Sequence, residues 1–410
     1  MRHPVFIASV LLLAFIGCGG QSDREESGFQ TTIEDGIPVI ISPEQPDHTD
    51  TLFHFEKILT LHEDERNEES LLSDPRQIVI GSNGDFFVSD SGNYRIAVFD
   101  SIGQYKYSFG RRGSGPGEYQ SGLRIIECKG DEIQTFDQQL QRLTIWTLGG
   151  VLLRTIPNRS LENMKYVDGM YEIAQGRILY FDSPQSSLDE TRYSWCEGQI
   201  ISTATGDTVA SLVTQRVPAA HVDRSQGSPR THQLQFAGTP SLFFHHHLGI
   251  YLTPGNSPEI TQYDFNGEPV RRIRIAAEPQ RVTGSMREDR RKQILDDREK
   301  ASEELGRPLS TDLELYFSET IGFARNGLVD DRGYIWLLDA QLTQMRDSDR
   351  WQPYHIFSPD GRYLGITRVP AGYGISVRNG LLTIIHAELE IGAFTPSVYR
   401  ITARKEGLVY

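Results

Sequence analysis

QIVIGSNGDFFVSDSGNYRIAVFDSIGQYKYSFG, residues 77–110, contains four short β-rich runs that are separated by turn residues. Asn and Gly both tolerate positive φ, so Asn83-Gly84 between two apolar runs is a strong hairpin signal. Four antiparallel strands in a stretch of this length are typical of one β-propeller blade. The four predicted strands are Gln77–Ile80, Phe86–Ser89, Arg95–Phe99 and Tyr105–Phe109.

The third strand and its turn recur along the chain as an aromatic residue followed four positions later by glycine. We expect the aromatic side chain to pack between neighbouring blades and the glycine to take the left-handed conformation of the turn. Six copies predict an all-β, six-bladed β-propeller. The copies are Phe99–Gly103, Trp146–Gly150, Ser202–Gly206 (without the aromatic), Tyr263–Gly267, Phe357–Gly361 and a degenerate one from Tyr399 to Gly407.

The long interval between the fourth and fifth copies predicts an insertion, and residues from about 283 to 306 predict that it contains one helix. Ser285 and Glu288 have the Ser-x-x-Glu spacing of a capping box. Gly306 and Pro308 would end the helix.

The ends of the chain are expected to close the ring. Residues 52–60, LFHFEKILT, read as an isolated strand before the first blade. Pairing of this strand with the last blade would remove the free edges between the first and last blades. The propeller domain is therefore predicted over residues 37–410.

The N-terminus predicts export. Residues 1–17 have a basic residue, an apolar run and a small residue before Cys18, as in a secretory signal peptide. Phe15-Ile16-Gly17-Cys18 resembles the bacterial lipobox, which implies lipidation of Cys18 and anchoring to an envelope membrane, at the periplasmic face or the cell surface of the outer membrane. The alternative is an ordinary signal peptide with a chance cysteine. Residues 18–36 are acidic and predict a flexible tether.

RIAVFDSIG at residues 95–103 and GRRGSGPGEY at residues 110–119 resemble the NHL-repeat propellers. More narrowly, they are similar to the uncharacterised 6-bladed β-propeller lipoproteins of Bacteroidetes. Asp90, Asn93 and Arg95 match the Asp…Asn-x-Arg pattern of an NHL blade. The resemblance implies the propeller fold and export, and it implies no particular substrate.

Three arginines are candidate ligand-binding residues, because Arg76, Arg124 and Arg325 lie near the predicted starts of inner strands in three blades. Guanidinium groups that converge at the mouth of a propeller could hold an anionic or sugar ligand. The alternative is salt bridging between blades. Asp90 and Arg95 are expected to form a structural pair within one blade.

His245-His246-His247 lies in a predicted strand, where only His245 and His247 share a face. If this strand lines the channel, the two histidines are candidate ligands for a metal such as Ca²⁺ or Zn²⁺. No other cofactor is expected, and no catalytic residues are identified from spacing. A structural interpretation of these histidines remains open.

The net charge of −14 argues against nucleic acid as a partner. Export, a lipid anchor and a ring fold favour a propeller that binds a carbohydrate, a peptide or a protein, or serves as a scaffold. The alternative is a metal-dependent propeller enzyme of the lactonase or lyase type, with its site in the central channel. Carboxylates, Asn and His from at least three blades in that channel would favour the enzyme.

Overall fold

The computed structural model describes residues 28–49, 51–61, 67–158, 167–174, 176–183, 185–188, 190–225, 228–340, 351–388, 393–404 and 408. The predicted signal peptide, Cys18, the first part of the tether and Gly407 lie outside these residues. Within them, no helix is both long enough and apolar enough to span a membrane.

The described chain is built mainly from short strands. Before the first blade they are β1 (Gln30–Glu34), β2 (Ile37–Pro43) and β3 (Phe53–Thr60). Blade 1 has β4 (Pro75–Ile80), β5 (Phe86–Asp90), β6 (Arg95–Phe99) and β7 (Tyr105–Phe109). A loop with β8 (Arg111–Arg112) and β9 (Glu118–Tyr119) leads to blade 2, which has β10 (Arg124–Lys129), β11 (Glu132–Asp137), β12 (Arg142–Thr147) and β13 (Leu152–Pro157).

The second part of the chain carries the insertions. The strands of blade 3 and its inserts are β14 (Gly169–Ala174), β15 (Arg177–Asp182), β16 (Gln185–Leu188), β17 (Thr191–Ser194), β18 (Glu197–Ser202), β19 (Thr208–Val213), β20 (Val217–Asp223) and β21 (Arg230–Gln235). Blade 4 has β22 (Ser241–His245), β23 (Gly249–Thr253), β24 (Glu259–Tyr263) and β25 (Pro269–Ala276), and helix α1 (Gly284–Leu305) and β26 (Tyr316–Phe317) follow it. The last strands are β27 (Ala324–Val329), β28 (Ile335–Asp339), β29 (Trp351–Phe357), β30 (Tyr363–Pro370), β31 (Tyr373–Arg378), β32 (Leu381–Glu388) and β33 (Ala393–Ala403).

These strands form six blades of at least four strands each, which confirms the predicted six-bladed propeller. The innermost strands, in blade order, are β4, β10, β14, β22, β27 and β31. Blade 5 consists of β27 to β30. Blade 6 takes three strands from the C-terminal part of the chain and its outermost strand, β3, from the N-terminal part.

Ring closure therefore occurs as predicted. β3 pairs antiparallel with β33, and this ladder runs from Phe53 opposite Ala403 to Thr60 opposite Ser397. Since the two strands come from opposite ends of the chain, their hydrogen bonds hold the ring closed without a covalent link.

The hydrophobic core is divided among the six interfaces between neighbouring blades. One buried cluster lies at each interface, and its side chains come from the facing sheets of two blades. The recurring aromatics take part as predicted, for example Phe99 between blades 6 and 1 and Trp146 between blades 1 and 2. Gly103 has φ of 81° and Gly150 has φ of 77°, which confirms the left-handed turn at those positions.

The prediction of a flexible tether over residues 18–36 is wrong for its described end, because β1 forms within it. β1 and β2 make a hairpin, and β2 pairs in parallel with β25 at the outer edge of blade 4. Glu34 accepts two hydrogen bonds from the guanidinium of Arg274, at 3.0 and 3.1 Å. An acidic segment is thus ordered by the basic edge strand that it meets.

The insertions form a second layer over one face of the ring. β16, β17, β20, β21 and β26 make a five-stranded sheet that is separate from the blades, which we call the cap sheet. Helix α1 packs beside it through a small cluster that contains Phe236 and Val282.

The predicted helix is confirmed within one residue at each end, but its predicted capping box is wrong. Thr283 is the N-cap, and its side-chain oxygen accepts from the backbone N–H of Met286 at 3.3 Å. Ser285 lies inside the first turn, where its hydroxyl contacts that of Thr283. Thr283 rather than Ser285 caps the helix because the capping residue must precede the first helical residue, which is Gly284. Gly306 ends the helix, as predicted, and it does so in the left-handed conformation.

Candidate functional site

The six innermost strands surround a central channel with a cavity of about 480 Å³. We call the end where the innermost strands begin the upper mouth, and the end where they finish the lower mouth. Arg124 and Asp168 lie near the upper mouth, and His245 and Arg378 lie near the lower mouth. Residues from all six blades line the cavity.

The lower mouth holds the histidine triplet. β22 ends at His245, and all three histidines line the channel cavity. The prediction that only His245 and His247 would face it was wrong, since the strand ends before His246 and the alternation of faces ends with it. Nδ1 of His246 contacts Oε1 of Glu127, which comes from blade 2.

The environment of the triplet keeps one ring neutral. His245 is 9 % exposed, and burial together with the neighbouring His246 lowers its pKa to about 4. Its Nδ1 accepts from the backbone N–H of His247 at 3.3 Å. The second carboxylate oxygen of Glu127 is buried and has no hydrogen-bond partner among the described residues.

Further polar groups border the lower mouth from blades 5 and 6. The guanidinium of Arg378 donates to the backbone oxygen of Cys128 at 2.7 Å and to that of Ile80 at 3.2 Å. The backbone N–H of Asn379 donates to a carboxylate oxygen of Asp331 at 2.8 Å. Arg378 thereby ties blades 6, 1 and 2 together at this end.

The structure does not bring the three candidate arginines together. Arg76 lines neither of the two cavities described here and pairs with Asp74 at 2.7 Å, with 55 % of its side chain exposed. Arg124 is exposed and lines the channel. Arg325 lines a different cavity. The expected convergence is therefore wrong, because Arg76 has a carboxylate partner two residues away.

Arg325 lines a cavity of about 300 Å³ between the cap sheet and the upper ends of blades 3 to 5, which we call the cap cavity. Its Nε is buried and has no hydrogen-bond partner among the described residues. One terminal nitrogen donates weakly to the backbone oxygen of Ala237, at 3.4 Å. Apart from Arg325, the polar lining consists of uncharged side chains: Ser183, Gln185, Ser194, Gln233, Gln235 and Thr239, together with the indole of Trp195.

A second positively charged side chain, that of Arg290, lies next to Gln235, which lines the cap cavity. Arg290 of α1 is 8 % exposed and donates through Nε to the amide oxygen of Gln235 at 3.1 Å. Burial, with the positive charge of Arg290, lowers the pKa of Arg325. Arg325 and Arg290 therefore place positive charge at the cap cavity, whose lining combines polar with apolar groups.

The NHL-like residues have a structural role, as predicted for Asp90 and Arg95. The Asp90 carboxylate is fully buried and accepts from Arg95 Nε at 3.1 Å and from the Asn93 amide at 2.7 Å. Asp137 of blade 2 occupies the equivalent end of the second strand and accepts from the backbone of Gln120. In blades 1 and 2 this carboxylate anchors the loop that enters the blade.

Comparison with known proteins supports the fold. Residues 42–196 match the sequence model of a family described as a 6-bladed beta-propeller. A stretch of 113 residues, 27 % of this chain, is 25 % identical to the protein brain tumor of Drosophila melanogaster, of which it covers 11 %. The chain thus spans about a tenth of the length of that relative.

Solved structures with a similar chain course have low sequence identity to this protein. A Bacteroides fragilis protein inferred to be exported is 11 % identical, with 90 % of this chain and 100 % of that chain covered and a TM-score of 0.48. A gluconolactonase from Xanthomonas campestris is 11 % identical, with 88 % and 99 % covered and a TM-score of 0.37. The resemblance to the 6-bladed β-propeller family is confirmed over residues 42–196, which span the first two blades and half of the third, and the described strands form the six blades of that fold.

Proposed function

We propose that this chain is an exported, lipid-anchored β-propeller that binds an acidic carbohydrate in the cap cavity. The observation that carries the proposal is the guanidinium of Arg325, which faces this enclosed space without a carboxylate partner among the described residues. A cation withdrawn from water is costly unless it is paired, and a ligand carboxylate would supply the missing charge.

The rest of the lining fits the hydroxyl groups of a sugar. Ser and Thr hydroxyls both donate and accept hydrogen bonds, and Gln side chains offer an amide donor and acceptor. Trp195 adds an aromatic ring, whose Nε1 donates to Glu197 at 2.5 Å and over which Arg216 lies at 4.3 Å. These groups suit a small polyhydroxylated acid better than an apolar ligand.

The ligand proposal predicts that Arg325→Gln weakens binding of glucuronate or galacturonate by roughly 10- to 100-fold, the effect of losing a charge-assisted hydrogen bond. Isothermal titration calorimetry of the purified protein measures this directly. Glucose, which lacks the carboxylate, is expected to bind more weakly than glucuronate. Arg76→Gln is the matched control and should leave the affinity unchanged, because Arg76 lies outside both cavities.

Two calorimetric results would contradict the ligand proposal. Equal affinities of the wild type and Arg325→Gln would show that Arg325 does not bind the carboxylate. Loss of binding in Arg124→Gln alone would move the ligand into the central channel, which Arg124 lines.

The lipid anchor rests on Gly17-Cys18 and the apolar run before it. Cys18→Ser removes the sulfur that would carry the lipid, so we expect the protein to leave the membrane fraction and to lose labelling by a radioactive fatty acid. Cys128→Ser is the control, because this buried thiol lies in blade 2. Membrane retention of Cys18→Ser equal to that of the wild type would contradict the anchor.

A metal-dependent enzyme remains a second candidate function, and one observation favours it. Glu127, His246, Asp331 and Asn379 border the lower mouth and come from four blades. His245, neutral at pH 7, offers a further nitrogen to a cation. A metal ion whose binding is abolished by Glu127→Gln would favour this function over carbohydrate binding.

A further inference from the structure

Three metal-ligating side chains meet on the cap sheet, away from the channel and its histidines. One ligand atom each from Asp223, His232 and Glu314 lies within 4.8 Å of the other two. Among the described residues, no other such group of three was found. We propose that these residues bind a divalent transition-metal ion, for which Zn²⁺ is the best probe.

The cap sheet brings the first two ligands together. Asp223 is the last residue of β20, and His232 lies on the neighbouring β21. These strands pair antiparallel, with His221 directly opposite His232. Asp223 is two residues beyond His221, so its side chain emerges on the same face as those of both histidines.

Glu314 reaches this face from the segment between α1 and β26. β26 pairs in parallel with β21, and its Tyr316 stacks on His221 with ring centroids 3.9 Å apart. The Tyr316 hydroxyl donates to Glu314 at 3.4 Å, which holds the carboxylate near the histidine. An ion at this place would fasten the segment that follows the helix onto the cap sheet.

The spacing of the ligand atoms suits an ion rather than a direct hydrogen bond. His232 Nε2 lies 4.0 Å from the nearest carboxylate oxygen of Glu314, which is too long for a hydrogen bond. The same nitrogen is buried and has no hydrogen-bond partner among the described residues. Ligands on a tetrahedral Zn²⁺ stand about 3.4 Å apart, so a small contraction would complete the site.

The charges also balance at this site. Two carboxylates and a neutral imidazole carry two negative charges, which one divalent cation neutralises. The backbone N–H of Ser225 donates to one carboxylate oxygen of Asp223 at 2.8 Å, which helps to fix the position of this carboxylate. Imidazole favours Zn²⁺ over Mg²⁺ or Ca²⁺, and three protein ligands leave at least one position for water.

The test is Zn²⁺ binding to the full chain, measured by competition with a chromophoric chelator and by elemental analysis after dialysis. We expect one equivalent in the wild type and an affinity at least 10-fold lower in His232→Ala. Glu314→Gln keeps the size of the side chain and removes the charge, so a similar loss there would not come from misfolding. Circular dichroism should be unchanged in both variants.

His247→Ala is the matched control, because this histidine lies at the lower mouth of the channel. We expect it to bind Zn²⁺ as the wild type does. Absorption bands of tetrahedral Co²⁺, substituted for Zn²⁺, should disappear in His232→Ala and persist in His247→Ala. The proposal would be overturned if the wild type bound no Zn²⁺. It would also be overturned if His232→Ala still bound one equivalent of Zn²⁺, or if His247→Ala or Glu127→Gln lost Zn²⁺ binding.

Discussion

Replacing Asp90 with alanine is expected to lower the free energy of unfolding by about 3–5 kcal/mol, the usual cost of breaking a buried charge pair from one side. Asp90 is fully buried, whereas its partner Arg95 remains in place with only 12 % of its side chain exposed. The substitution therefore leaves a largely buried guanidinium without its counter-charge.

The Asp90 substitution also removes the anchor of the loop that enters blade 1. The second carboxylate oxygen accepts from the backbone N–H of Ser73 at 2.9 Å and from that of Asp74 at 3.2 Å. Alanine leaves both donors without this partner, and each unsatisfied donor adds to the cost. Urea unfolding followed by tryptophan fluorescence measures the change.

Asp360→Ala is the matched control for Asp90→Ala. Asp360 also pairs with an arginine, Arg362, at 3.0 Å, but 58 % of its side chain is exposed. Exposed pairs contribute about 0–1 kcal/mol, so the unfolding midpoint should move little. If Asp90→Ala unfolds at the same urea concentration as Asp360→Ala, the Asp90 network does not stabilise the blade as inferred.

The sequence predicts the ring well because the residues that form the turns of a blade lie within the sequence of that blade. Asn83-Gly84 is a local signal for the turn between the first two strands of blade 1, and the aromatic-to-glycine spacing marks the turn from the third strand to the fourth in blades 1, 2, 4 and 5. Closure by residues 52–60 was predictable because they read as an isolated strand before the first blade, and a closed ring needs such a strand to join the last blade. The hairpin β1–β2 was missed because it is held by residues far along the chain, through the pairing of β2 with β25 and the contact of Glu34 with Arg274.

The candidate site was harder to predict because it is made by tertiary contacts. The cap sheet combines a hairpin inserted within blade 3, a second hairpin between blades 3 and 4, and a two-residue strand after the helix, and none of these carries a propeller repeat. Arg325 lines a cavity, but with neighbours other than the predicted Arg76 and Arg124, and nothing near it in sequence indicates Gln185 or Gln235. Asp223, His232 and Glu314 have no motif spacing, so only the folded cap sheet brings them together.

Phe53→Ala is expected to lower the free energy of unfolding by about 3–5 kcal/mol, the range for truncating a buried phenylalanine. Phe53 is 1 % exposed and lies on the N-terminal strand that closes the ring. Its ring stacks on Trp336 of blade 5, with centroids 5.4 Å apart, and meets Tyr334 edge to face at 6.1 Å. Alanine leaves a cavity where blades 5 and 6 join.

The loss of packing in Phe53→Ala is expected to affect closure of the ring as well as the local core, because Phe53 lies on the closing strand β3. β3 is held to blade 6 by one ladder, so weakening its packing favours release of the strand and exposure of the edge of β33. Limited proteolysis should then cut Phe53→Ala near β3 faster than the wild type. Ile58→Ala, on the same strand but 39 % exposed, should show neither effect. Equal cleavage of Phe53→Ala and Ile58→Ala, with equal unfolding midpoints, would mean that packing of β3 does not control ring closure.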